Sequence, residues 1–412
     1  MIKKQFFLFI TTVVVVCIAI SSCSSLKKVA FEDYVNTSTK KIKHQVKSTF
    51  SIHDLAIYAS NQFDGARLNN MTKLNDSTVI AHIEPENTPI NNSAYYAFDI
   101  WSAKNTIIYV KFKYPGEFTH RYHPKIKKNN VWSVLDSSNI LIADKKEYTI
   151  KLNLEGEKIR VAAQEIHASS QVRSWCTKIT KAYKPLVKLK KIGTSKLGRE
   201  LLVLDIYKDH KKNKPIVVLL TRQHPTEVTG YFAFREFVNT ILTDTLSSGF
   251  LKKYRVLAFP LLNPDGVDLG HWRHNAGGVD TNRDWSKYNQ PEIRQVVRYI
   301  TKQYKKSKAN VILGLDFHST WYDIFYTNKE RQNTSLPNFI TTWFNGIEND
   351  IPGYKVREAS GNSTKPVSKG WFLYSLNAVG ITYEIGDETP FPEIQRIGKI
   401  SAKQMMQILL EQ

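Results

Sequence analysis

The pattern of apolar positions changes character once along the chain, near residue 170. Between Ser48 and about Ala168 the β-prone runs are short: Thr78–Ile83, Tyr95–Trp101, Thr106–Phe112, Val131–Leu135 and Tyr148–Leu152. Clusters of Asn, Gly, Pro and Lys separate them, and no long helical period intervenes. Short strands at regular spacing predict an all-β sandwich domain over residues 48–168.

From about Gln171 the apolar runs become continuous. Ile216–Leu220, Val256–Leu262, Val311–Leu315 and Ile381–Ile385 have the composition of strands buried on both faces. Helical stretches alternate with them, at Gly230–Leu242, Pro291–Lys305, Leu336–Asn349 and Pro392–Leu410. Such alternation predicts an α/β domain over residues 171–412, a mixed, largely parallel sheet flanked by helices. Ligand sites of such sheets form in loops beyond the carboxyl ends of strands. Every polar motif discussed below falls at or just after one of the apolar runs.

The first 23 residues stand apart. Lys3 and Lys4 precede an apolar stretch from Phe6 to Ile20, about 15 residues and short of the ~20 needed to span a bilayer. Ile20-Ser21-Ser22-Cys23 resembles the cleavage box of bacterial lipoproteins. The expectation is a signal peptide over 1–23, lipidation at Cys23 and a polar tether over 24–47. A membrane-anchored chain facing an extracytoplasmic, periplasmic space follows; a plain signal peptide or an uncleaved anchor is the alternative.

Three cysteines are present; with Cys17 in the leader and Cys23 carrying lipid, only Cys176 remains. One thiol makes no internal disulfide and no thiolate cluster, so a metal must be held by His and carboxylate. The formal charge of +21 would draw acidic substrates, anionic lipid or wall polymers. No nucleic-acid module is present, and nucleic acid is not expected as a partner.

His224-Pro225-Thr226-Glu227 follows the run Ile216–Leu220 and is the only His-x-x-Glu in the chain. Two such ligands on one turn chelate zinc readily, and a catalytic site needs a third while leaving one position open. His318, in Leu315-Asp316-Phe317-His318-Ser319 at the end of another apolar run, is the candidate third ligand, with Asp316 a candidate partner for an imidazole. Asn263-Pro264-Asp265-Gly266 is a turn, followed by Arg273 and by Gly278-Val279-Asp280-Thr281-Asn282-Arg283. Two arginines there supply what cleavage at a peptide C-terminus requires, a clasp for the carboxylate and a positive group for the oxyanion. Glu384 lies inside the apolar run Ile381–Ile385, where a carboxylate is costly unless paired or functional. Near zinc it could take a proton from water and deliver it to the leaving amine.

Taken in order, these segments resemble the zinc carboxypeptidase family, whose best-known members are the pancreatic carboxypeptidases. The resemblance covers about Trp175 to Gln412 and implies that His224, Glu227 and His318 hold one zinc ion. It implies Glu384 as general base, Arg273 as oxyanion stabiliser, and Asn282 and Arg283 as the carboxylate clasp. Leu186–Ile206 resembles the family's entry strands. The upstream β region is similar to that of the cytosolic-type carboxypeptidases, architecture plus fragments such as Tyr95-Tyr96-Ala97-Phe98.

Two departures from the family pattern are visible. Thr281 stands where the family often has Leu. Asn362 stands where the family's mobile capping tyrosine would be, with Tyr354 and Tyr374 as possible substitutes from elsewhere. Lys369, about 15 residues before the base, is where the family's specificity pocket has its floor, and a lysine there suggests acidic C-terminal residues as substrates. The expected function is zinc metallocarboxypeptidase activity on peptide or protein C-termini. A murein stem-peptide carboxypeptidase or endopeptidase is the alternative; a binding lipoprotein with an inactive peptidase fold is a third reading.

Overall fold

The short runs of the first third do become strands. The computed structural model describes residues 28–142, 144–331 and 333–412, so the leader and Cys23 lie outside the described residues. Among the described residues no helix is long and apolar enough to cross a membrane. One six-stranded sheet runs in the order Thr49–Ile52, Ile57–Ser60, Ala97–Ser102, Ile159–Ala162, Lys125–Lys128, Val131–Val134. A five-stranded sheet runs Asn70–Lys73, Thr78–His82, Thr106–Lys113, Thr149–Leu154, Ile140–Ile142. Phe98 and Ile100 of one sheet and Ile108, Val110 and Phe112 of the other share one buried apolar cluster. Six of the eleven strands lay outside the expected runs. Lys125–Lys128, for example, is three-quarters lysine, with Ile126 its one apolar residue packed on the core.

Residues 28–47, expected to be a tether, instead run over the α/β region. Val29 and Thr37 are buried, Ser286 Oγ donates to Val29 O at 2.6 Å, and Thr37 Oγ1 donates to Asp284 at 2.5 Å. Its polar composition concealed a segment that docks through hydrogen bonds.

The α/β region carries an eight-stranded mixed sheet in the order Val187–Thr194, Glu200–Ile206, Arg255–Phe259, Ile216–Thr221, Val311–Thr320, Val379–Gly386, Ile324–Tyr326, Glu358–Ala359. Its four middle strands, Arg255–Phe259 through Val379–Gly386, are mutually parallel, and antiparallel strands flank them on both sides. The expected entry strands are present as Val187–Thr194 and Glu200–Ile206, which pair antiparallel. The run Val256–Leu262 stays extended only to Phe259, because Pro260 and the Asn263-capped helix Pro264–Asp268 turn the chain away. Helices Val228–Thr243, Pro291–Ser307, Phe339–Asp350 and Phe391–Leu410 cover the sheet; Ser169–Ala182, Ser247–Lys253 and Ser368–Leu376 add to them.

Helix Val228–Thr243 packs so closely on the strand Val311–Thr320 that a Cβ at Gly230 would lie 2.2 Å from the carbonyl oxygen of His318. Both partners are backbone, so neither can give locally. Gly230→Ala is therefore expected to cost about 1–3 kcal/mol of stability and to displace His318. Gly249→Ala meets only the Leu410 side chain at 3.9 Å and is the control. Thermal unfolding with zinc titration checks both: a lower melting temperature and weaker zinc binding for the first, near-native values for the second.

Candidate active site

Strand alternation places the metal-facing residues. Along Val311–Thr320, Leu315 and Phe317 enter the apolar core, so Asp316 and His318 share the opposite face. The parallel neighbour Ile216–Thr221 ends beside them, Leu220 opposite Asp316 and Thr221 opposite Phe317. Beyond it Arg222 takes a left-handed turn (φ 58°), and His224-Pro225-Thr226-Glu227 leads into helix Val228–Thr243. On the other side His318 pairs with Glu384 across parallel strands. Three chain segments distant in sequence thus meet at the carboxyl ends of adjacent strands.

His224 Nδ1 lies 2.8 Å from Glu227 Oε1, His318 Nδ1 lies 2.6 Å from Glu227 Oε2, and the two Nδ1 atoms are 3.2 Å apart. One atom from each residue falls within 4.8 Å of the others, and all three are buried. Two imidazole nitrogens and a carboxylate converging at this spacing suit zinc, which sits about 2.0–2.2 Å from such ligands. Charge agrees with geometry. Although burial works against both ions, the imidazoles hold the Glu227 carboxyl well below its usual range, and Asp316 and Glu227 hold His318 well above its own. The ligand set calls for a cation at its centre.

The outer ring nitrogens are each held by a carboxylate: His224 Nε2 is 2.9 Å from Asp280 Oδ1, and His318 Nε2 is 2.8 Å from Asp316 Oδ2. Each bond turns the Nδ1 lone pair inward. The expected partnership of Asp316 is present. That of Asp280 was not foreseen: Asp280 stood in the motif Gly278–Arg283 with no role of its own. Asp280 also faces Arg273 at 2.8 Å and Arg283 at 3.7 Å. Their two guanidiniums and His224 hold its carboxyl well below the ordinary range, despite burial.

Arg273 sits on a loop gripped from outside. The buried carboxylate of Glu86, from the β-rich region, accepts the backbone N–H groups of Trp272 (2.8 Å), Arg273 (3.0 Å) and His274 (2.6 Å). No local signal marked Glu86, because its partners lie 186 to 188 residues away. Asn282 Oδ1 accepts from Ser368 N at 3.0 Å, tying the carboxylate-clasp candidates to the helix that bears Lys369.

Each expected site residue of the α/β region lines one cavity of about 280 Å³: the three ligands, Arg273, Asn282, Arg283, Lys369 and Glu384. Glu384 Oε2 is buried with no hydrogen-bond partner among the described residues. Burial, then the charge of Glu227, pushes its carboxyl up to about 8; a dication in the ligand set acts in the opposite direction. Asn362 lines the cavity, but Tyr354 and Tyr374 do not; the tyrosine that does is Tyr326. It pairs with Thr382 on the strand that carries Glu384, a contact invisible before the edge strand Ile324–Tyr326 was placed.

A family model of zinc carboxypeptidases matches residues 172–405. The chain belongs to the zinc carboxypeptidase family. Zinc is accordingly its metal, and His224, Glu227 and His318 form the ligand set present among the described residues. Cytosolic carboxypeptidase 6 of Mus musculus is 28% identical over 136 residues, which is 31% of this chain and 25% of that one. Cytosolic carboxypeptidase 2 of Homo sapiens is 33% identical over 108 residues, 26% of this chain and 12% of that one. The match thus spans a quarter or less of the length of these relatives. A metallo-carboxypeptidase structure from Burkholderia cenocepacia superimposes with TM-score 0.71 at 15% identity, covering 86% of this chain and 99% of the other. One from Pseudomonas aeruginosa, in complex with (2-guanidinoethylmercapto)succinic acid, gives 0.67 at 16% identity, covering 85% and 98%. At such identities the likeness is one of fold, and it extends through the β-rich region.

Asp280→Asn keeps the shape but weakens the hold on His224. Zinc affinity, measured by chelator competition, is expected to fall about 10–100-fold with the melting temperature of the apoprotein little changed. Asp316→Asn, which acts on His318, is expected to do the same.

Proposed function

We propose that this enzyme removes C-terminal residues from peptides and favours acidic ones, glutamate or aspartate. Lys369 carries the reading. It lines the catalytic cavity and is 1% exposed. Its Nζ donates to Thr327 O at 3.0 Å, Asn328 Oδ1 at 3.2 Å and Ser363 Oγ at 3.1 Å. All three acceptors are neutral, and burial alone pushes the ammonium down to about 8. A buried cation without an anion is expensive; the side-chain carboxylate of a terminal Glu or Asp would complete it.

Bound at the ligand set, zinc supplies Lewis acidity toward water and the peptide carbonyl. The remaining steps belong to the chain's own residues. Asn282 and Arg283 hold the substrate's terminal carboxylate, fixing which bond is presented. Glu384, whose Oε2 has no competing partner, takes a proton from the attacking water and delivers it to the departing amine. Arg273, fixed through Asp280 and through Glu86 on its own backbone, donates to the oxygen that gains negative charge.

Release of C-terminal Glu, Leu and Lys from otherwise identical peptides tests the specificity, with muropeptides as a further arm. Glu is expected to leave fastest and Lys slowest, and Lys369→Ala to erase most of the Glu-over-Leu preference. Because Lys369 loses its charge as pH rises through about 8, the ratio of kcat/KM for Glu over Leu should fall above that pH. Faster release of Lys, or an unaltered preference in Lys369→Ala, would contradict the proposal. Hydrolysis confined to muropeptides would replace linear peptides with wall peptides as the substrate.

A further inference from the structure

We infer that Arg121, contributed by the β-rich region, is a substrate-binding residue on the side of the cleft where the peptide enters, donating to its main chain. The inference rests on the carboxypeptidase reading of the site.

Arg121 is delivered rigidly. His120 before it is buried, stacked on Tyr148 with ring centroids 3.6 Å apart, its Nδ1 2.8 Å from the Tyr114 hydroxyl. Tyr122 after it donates from its hydroxyl to Thr226 Oγ1 at 3.1 Å, on the turn between His224 and Glu227. Pinned on both flanks, Arg121 lines the same cavity as the metal ligands and Glu384. Its rotamer is fixed as well. Nε and Nη2 lie 2.9 and 2.7 Å from Asp387 Oδ2, Nη1 donates to Ser93 Oγ at 2.6 Å, and the Trp321 ring lies 4.9 Å from the guanidinium carbon.

Two landmarks fix where it stands in the cleft. The Lys369 backbone abuts Gly380, and its ammonium reaches Thr327, next to the Tyr326–Thr382 pair. Arg121 is held at Asp387, one residue past the end of the same strand, and Glu384 lies between. Thr382 to Asp387 is roughly 16 Å of extended chain at ~3.3 Å per residue. Lys369 is buried at its end of the cleft, whereas beside Arg121 stand Trp321, 56% exposed, and Tyr322, 48% exposed. A peptide whose last residue lies against Lys369, with its cleaved bond at Glu384, would run on toward Arg121.

The pairing decides what Arg121 binds. Asp387 already balances its charge, and three of its five N–H bonds are engaged. The two left over suit a neutral acceptor better than a second carboxylate. The first peptide carbonyl upstream of the cleaved bond is such an acceptor, whatever side chain accompanies it.

The test is a cycle of enzyme and substrate changes. Dipeptides with one C-terminal residue and an uncharged side chain before it carry either an N-acetyl or an N-trifluoroethyl group; the latter lacks the carbonyl oxygen, and its weakly basic amine stays uncharged like the amide. Wild-type enzyme is compared with Arg121→Gln/Asp387→Asn, which removes both charges of the buried pair, and with Arg121→Lys should the double variant not fold. Zinc content and melting temperature are read alongside. Wild type should lose about ten-fold in kcat/KM when the carbonyl is deleted, and the variants should lose little more than they already have. Equal losses in wild type and variants, or a variant defect that appears only with acidic upstream residues, overturns the assignment. If wild type releases no C-terminal residue at all, the carboxypeptidase reading itself fails; if it does and the cycle shows no coupling, only Arg121 is misassigned.

Discussion

Two imidazoles and a carboxylate converge on one buried point, and the surrounding architecture answers the charge this creates. Glu227, Asp280, Asp316 and Glu384 bring four carboxylates to the site; Arg273 and Arg283 return two positive charges. A divalent ion between the ligand atoms would offset carboxylate charge where Glu227 meets the two imidazoles. Burying carboxylates is costly unless they are paired or hold a metal. The outer bonds from Asp280 and Asp316 also fix each ring, so the donors are aimed before any metal arrives. Close backbone packing at Gly230 then holds the strand of His318 against the helix that follows Glu227.

The β-rich region helps to build this centre. Glu86 satisfies three consecutive N–H groups of the Arg273 loop, Tyr122 reaches the turn between two zinc ligands, and Arg121 enters the cavity itself. The segment 28–47 adds a clasp through Thr37 to the loop after Arg283. Separating the regions would leave a buried carboxylate and several backbone donors without partners, which argues for one catalytic unit.

Much of the site was legible in the sequence because zinc carboxypeptidase chemistry uses residues in a fixed order beyond buried strands. His224, Glu227, His318, Arg273, Asn282, Arg283 and Glu384 all line one cavity. The parallel strands were legible too, since burial on both faces writes continuous apolar runs. What escaped depends on partners far along the chain. Asp280 stood in its motif without an assigned partner, and nothing local singled out Glu86 or Arg121. Only the fold brings Glu86 beneath a loop some 187 residues later. The lysine-rich strand Lys125–Lys128 and the docked segment 28–47 escaped because backbone pairing leaves little trace in composition. The candidate substitutes Tyr354 and Tyr374 do not line the cavity, whereas strand pairing brings Tyr326 to it.

Zinc K-edge X-ray absorption on the purified protein interrogates the central claim most directly. The account predicts one zinc per chain, two imidazole nitrogens and one carboxylate at about 2.0–2.2 Å, and loss of one imidazole shell in His318→Ala. Substoichiometric zinc in metal-replete protein, a sulfur shell, or an unchanged spectrum in His318→Ala would contradict it.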